Sequence, residues 1–264
     1  MRDYFCLNEA VLGNDFASSK NSYAVAAERK ASGKERLSFV NLNKSLAFDS
    51  EYKNEVMGVV AAELKYMLRC YKVTKKDLVL VVGVGNEGMT ADALGGRTLK
   101  YLDITEHLKK AGVKSASRGR LCGIRGGVAG VTGINSFDVV KGVVDRIKPA
   151  SVIAVDTLSA GRASRLMRVI QISDGGLVPG SGVGNAKREL SEKSLGVPVI
   201  AVGVPLVIQA LNIWAEGADG KRLNKATEDV LSDLVVTVKE IDLAVEDFSE
   251  VIGEAINLAV HGTI

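Results

Sequence analysis

Two aspartates that follow apolar segments are the strongest candidates for chemistry in this chain. Asp156 closes the run SVIAVD at residues 151–156, and Asp92 lies in the glycine-rich segment 83–96 behind the run DLVLVV. Ligands of open α/β sheets bind beyond the carboxyl ends of the strands, so both carboxylates are expected at one sheet edge. Such a pair can share a proton, one member acting on water as a base and the other as an acid. This arrangement suits a hydrolase, while the alternative role of Asp156 is to cap the following turn.

A third glycine-rich segment, residues 170–185, carries the sequence IQISDGGLVPGSGVGN around Asp174. Glycines let the backbone turn closely where side chains would collide. The segment is therefore either a long surface loop or a binding loop that presents backbone donors. In the second interpretation the residues predicted to contact the substrate are Asp174, Gly180, Ser181, Gly182, Gly184 and Asn185, together with Asn86 of the segment 83–96.

A nucleotide-binding function is disfavoured, although residues 83–88 have the spacing GxGxxG. No Lys-Ser or Lys-Thr pair follows for a phosphate loop, and no acidic residue ends a second strand about 20 residues further on.

The composition excludes several commoner hydrolases. The chain has two histidines, His107 and His261, and three cysteines without CxxC spacing. A zinc centre with several histidines or four cysteines cannot be built from these residues. Ser–His or Cys–His catalysis would need one of the two histidines, both of which are expected to be solvated at helix ends. Carboxylates remain as the available catalysts, and the unpaired cysteines suit a reducing cytoplasm.

The length and net charge of the chain indicate how many domains and which partners to expect. The 264 residues favour one large domain, and the net charge of +3 is too weak to indicate a nucleic-acid partner. The longest apolar runs are shorter than 18 residues, and residues 1–10 lack the pattern of a secretory signal, so no membrane partner is expected.

The apolar patterning predicts strands that alternate with helices. The polar first 54 residues are expected to be irregular apart from one strand, and Thr90 and Ser136 are candidate N-caps. The strands are predicted at 37–42, 77–82, 151–156, 198–203 and 234–238, and the helices at 52–71, 136–147, 205–215 and 239–260. This order predicts an α/β fold with a mainly parallel sheet and helices on both faces. We expect a single domain over residues 1–264, in which 1–50 form a divergent amino-terminal segment.

Five ordered segments resemble the germination protease family of endospore-forming bacteria. They are GN at 85–86 with TADALGG at 90–96, VIAVD at 152–156, the long run at 170–185, GVPVIAVGVP at 196–205 and TVKEID at 237–242. The resemblance covers about residues 75–264.

The resemblance implies an endopeptidase that degrades small acid-soluble spore proteins during germination. The family's proposed catalytic aspartates fall on Asp92 and Asp156. Its fold is similar to that of hydrogenase-maturation endopeptidases, in which the matching acidic positions contact a metal. An aspartic mechanism without a cofactor and a divalent metal at Asp92 and Asp156 are therefore both open. The resemblance also implies a zymogen that matures into a homotetramer in the cytoplasm of the forespore or spore core.

Several positions depart from the family pattern. Ala91 and Gly96 replace prolines on either side of the first aspartate, Gly161 replaces an arginine, and Gly175 replaces a threonine. The alternative function is therefore a catalytically inactive or metal-dependent homologue that acts as a binding protein or on another protein substrate.

Overall fold

One eight-stranded sheet runs through the protein in a computed structural model that describes residues 25–32, 35–112, 118–179, 188–219 and 222–262. The strands are β1 (Val25–Ser32), β2 (Glu35–Leu42), β3 (Leu78–Val84), β4 (Arg120–Gly127), β5 (Ser151–Ala160), β6 (Val169–Ser173), β7 (Val199–Gln209) and β8 (Val235–Val236). Their spatial order is β1-β2-β6-β7-β5-β3-β4, with β8 beside the end of β7.

Helices pack on both faces of this sheet. They are α1 (Ser50–Cys70), α2 (Leu94–Thr98), α3 (Glu106–Lys110), α4 (Ala129–Thr132), α5 (Ser136–Ile147), α6 (Glu192–Leu195), α7 (Ala210–Glu216), α8 (Lys225–Asp233) and α9 (Ile241–His261). Short 3₁₀ turns occur at Thr90–Asp92, Leu99–Tyr101 and Ala163–Arg165. Among the helices in the described ranges, none combines the length and the apolar character that a membrane span requires.

The predicted α/β fold is confirmed. Strands β4, β3, β5 and β7 are parallel and form one half of the sheet, whereas β1, β2, β6 and β8 pair antiparallel. One face of the sheet packs on α1 and α9, and the other face packs on α5. All seven residues of β3 are buried, as expected for a strand covered on both faces.

Two central strands are longer than predicted. β5 continues four residues beyond Asp156, and β7 reaches Gln209, so the helix predicted at 205–215 begins only at Ala210. Pro205 does not end β7, because it lies beyond the last β6–β7 pair, where no strand bond from its missing N–H is needed. Its carbonyl accepts from the Met167 amide at 2.8 Å.

The strand predicted at 37–42 is confirmed as β2, but the prediction of irregular structure around it was wrong for residues 25–32, which form β1 and pair antiparallel with β2. β1 lies at the edge of the sheet and is polar, so it lacks the apolar run that marks a buried strand. An ion pair ties it to α1: the exposed Arg29 donates to both oxygens of the buried Glu63 at 2.7 Å, and the Ser38 hydroxyl donates to the same carboxylate.

Both predicted N-caps are also wrong. α5 is capped by Asn135, whose side chain accepts from the Phe137 amide, while the Ser136 hydroxyl donates to the Gly127 carbonyl. Thr90 lies inside its 3₁₀ turn rather than before it.

His261 is buried at the end of α9 instead of solvated, and burial lowers its pKa. A group with a lower pKa in the folded than in the unfolded chain binds fewer protons when folded, so stability is lost as pH falls below about 6.5. We expect the urea midpoint to fall more steeply between pH 7.5 and roughly pH 5 in the wild type than in His261→Gln. Parallel profiles for the two proteins would show that the ring does not titrate with unfolding.

Candidate active site

Asp156 lies where β3 ends beside β5. The last β3–β5 pair joins Gly83 to Val155, and Asp156 follows at once with 3% of its surface exposed. Asp156 was predicted to end its own strand. It lies instead inside β5, at the point where the neighbouring strand β3 ends. Strand alternation directs its side chain to the same face as Ala154 and Leu158, the face that packs on α5.

Asp92 is carried to the same edge by the turn that follows β3. The 3₁₀ turn at Thr90–Asp92 contacts both β5 and β7. Gly85 makes the approach possible, because its φ is +101° and a Cβ there would lie 2.1 Å from the Asp92 carbonyl oxygen. The carboxylate is half-buried, and its Oδ2 accepts from the Asn86 amide at 2.7 Å.

Each aspartate binds a backbone amide at the point where the two strands part. A parallel ladder that continued beyond Gly83 and Val155 would next engage the amides of Asn86 and Thr157. Instead, Asn86 donates to Asp92, and Thr157 donates to Asp156 Oδ1 at 2.8 Å. The two carboxylates therefore flank the opening between β3 and β5, and one oxygen of each is fixed in direction.

α2 begins directly above the last hydrogen bond between β3 and β5. A Cβ on Gly95 would lie 2.3 Å from the Val155 carbonyl oxygen and 2.4 Å from the backbone N and O of Val84. Gly83 approaches α2 equally closely from below, because a Cβ on Gly83 would lie 2.3 Å from the Gly95 carbonyl oxygen. Glycine at both positions lets backbone pack on backbone next to the aspartates.

The space beside Gly96 is also occupied. The carboxylate of Glu87 lies over Gly96, 2.2 Å from where a Cβ would be, and pairs with Arg125 at 2.6 Å. Glu87 and Arg125 were not among the sequence candidates, and no spacing in the sequence links them.

Asp174 does not lie with the other two aspartates. β6 and β5 flank β7 on opposite sides, which separates them by about 10 Å. β6 also runs antiparallel to β7, so its carboxyl end points to the opposite edge of the sheet. Ser173 pairs with Ala201, two positions before the Gly203 that pairs with Asp156.

The Asp174 carboxylate is held by β2 and the end of α1. The Arg36 backbone amide and guanidinium donate to its two oxygens at 2.5 Å, and the Tyr71 hydroxyl donates at 3.1 Å. Burial, together with the negative charge of Asp174, raises the pKa of Tyr71, so the phenol stays protonated and remains a donor. The Asp174 carboxylate therefore links the end of β6 to β2 and to the end of α1, in the antiparallel half of the sheet. The remaining candidates of the glycine-rich loop, Gly180, Ser181, Gly182, Gly184 and Asn185, lie outside the described residues.

The donor set at the site does not fit a metal held by three protein ligands. Asp92 and Asp156 can supply two carboxylates, but nowhere in the described part of the chain do three His, Cys, Asp or Glu side chains converge.

A groove of about 710 Å³ lies apart from the aspartates. It runs between the loop before α1, the β5–β6 loop and the start of α9, with Phe48, Met167 and Leu243 among its apolar walls. Neither Asp92 nor Asp156 lines it, so we place the candidate site at the carboxylates rather than at this groove.

Comparison with known proteins agrees with the motifs. The model of the germination protease family matches residues 23–220. A germination protease of Clostridium acetobutylicum is 35% identical over 252 residues, covering 84% of this chain and 77% of that protein. One from Bacillus mycoides is 34% identical over 277 residues, covering 82% of this chain and 76% of that protein.

Proposed function

Because the chain belongs to the germination protease family, we propose that it is an endopeptidase that hydrolyses small acid-soluble spore proteins through Asp92 and Asp156. The observation that carries this proposal is the opening between β3 and β5, where the two aspartates flank one gap and each accepts a backbone amide. Side chains in such a fixed orientation can bind one water between them.

In the proposed reaction one carboxyl group is ionised and the other is protonated. The ionised carboxylate takes a proton from water as the water oxygen forms a bond to the peptide carbonyl carbon. The protonated carboxyl group donates to the carbonyl oxygen, which gives a neutral tetrahedral intermediate.

The intermediate then collapses with the same two groups in reversed roles. The group that took the proton from water gives it to the departing nitrogen while the C–N bond breaks. The other group recovers its proton from a hydroxyl of the intermediate, and the site returns to its starting state. The net change is the addition of one water across one peptide bond.

Incubation of the purified chain with a small acid-soluble spore protein tests this function. We expect discrete fragments by mass spectrometry, with the same yield in the presence and absence of EDTA. Lack of cleavage in both arms contradicts the peptidase proposal and favours the binding homologue. Cleavage that EDTA abolishes and a divalent ion restores contradicts the metal-independent pair.

A further inference from the structure

Beyond Asp156, one edge of β5 has no neighbouring strand among the described residues. It is the same edge that pairs with β3 earlier in the strand. β3 ends at Val84, next to Asp156, whereas Thr157–Ala160 continue only beside β7. In the described part of the chain no other strand pairs with this stretch. An unpaired strand edge exposes a row of backbone donors and acceptors to another extended chain.

The direction of the backbone groups identifies which of them face the open side. The Val152 amide donates to the Pro198 carbonyl at 2.9 Å, so even-numbered residues of β5 bond to β7. Alternation then turns the N–H and C=O groups of Thr157 and Ser159 away from β7. The Thr157 amide donates to Asp156, so in the described part of the chain the Thr157 carbonyl and both backbone groups of Ser159 remain along the edge.

A side chain at the start of this edge also lacks a partner. The Thr157 hydroxyl oxygen is buried, and no hydrogen-bond partner for it is found among the described residues. A buried hydroxyl without a hydrogen bond is costly, so its presence next to Asp156 points to a partner that arrives with the ligand.

We propose that the polypeptide substrate binds as an added strand on the Thr157–Ala160 edge, in line with β3, and that the Thr157 hydroxyl bonds to its main chain. This inference rests on the proposed function for the identity of the ligand. A strand of about four residues spans about 13 Å and passes directly beside Asp156. The substrate must therefore be extended at the cleavage site, because a folded segment cannot offer its main chain to a sheet edge.

The test is the binding of fluorescent peptides in which single amides are N-methylated, with the peptide taken from a small acid-soluble spore protein. Polarisation titrations with the Asp92→Asn, Asp156→Asn double variant measure affinity without turnover. We expect N-methylation to weaken binding at least about fivefold at alternate positions and to leave the intervening positions within about twofold. Equal effects at neighbouring positions, or no binding of the unmodified peptide, would overturn the added strand.

Variants at Thr157 test the hydroxyl separately. We expect Thr157→Val to weaken peptide binding about fivefold and Thr157→Ser to retain wild-type affinity, since serine keeps the hydroxyl. Thr132→Val, on exposed α4, serves as the matched control. Equal affinity of the Val and Ser variants contradicts the assignment. Failure of the proposed function is distinguishable, because the alternating pattern would persist while the wild-type protein cleaves nothing.

Discussion

An Asp156→Asn variant is expected to lower kcat/KM for cleavage of a small acid-soluble spore protein by about 10³-fold, the usual contribution of a general acid or base. Asparagine keeps the size of the side chain and can still accept from the Thr157 amide, but it cannot exchange a proton with water. The measurement is the initial rate of fragment formation, with circular dichroism to verify the fold. Asp92→Asn is expected to cause a loss of the same order.

The double variant separates a cooperating pair from two independent groups. If the two carboxylates act on one water, removal of the second costs little once the first is gone. Asp229→Asn, an exposed carboxylate on α8, should retain the wild-type rate. A double asparagine variant that cleaves as fast as the wild type would falsify the aspartate-pair mechanism.

Gly95→Ala is expected to destabilise the fold strongly. The new methyl group would lie within 2.4 Å of three backbone atoms, Val155 O and Val84 N and O, which cannot rotate aside. Overpacking of this kind costs up to about 3 kcal/mol, and for a domain of this size that lowers Tm by about 9 °C. Differential scanning calorimetry measures the shift.

Gly58→Ala provides the matched control in α1. No atom lies within 4 Å of a Cβ at Gly58, so alanine should be neutral or stabilise by about 0.5–1 kcal/mol through its helix propensity. Equal melting temperatures for the Gly95 and Gly58 variants would show that α2 can move off the ladder at no cost.

The positions of Asp92 and Asp156 near one sheet edge could be predicted, because buried parallel strands have continuous apolar runs that end visibly. The length of β5 could not. The sequence after Asp156, TLSA, interrupts the continuous apolar run with two polar residues, and it is extended where it pairs with β7, a contact distant in sequence.

The location of Asp174 could not be predicted from the sequence either. Residues 170–173 alternate apolar and polar side chains, as a strand does, but no local pattern predicts that β6 runs antiparallel to β7. That direction decides which edge of the sheet receives Asp174. The roles of Thr157 and Glu87 also arise from the neighbours that the fold supplies and not from any motif.

The contact between Arg36 and Asp174 has a consequence for synthesis of the protein. The two residues are 138 positions apart, so at 5–20 residues per second the ribosome makes the second roughly 7–28 s after the first. Throughout that interval β2 has no β6 to pair with, and Leu37 and Phe39 lack the later strands and helix that bury them. These two side chains of β2 therefore stay exposed during synthesis until β6 completes the antiparallel part of the sheet.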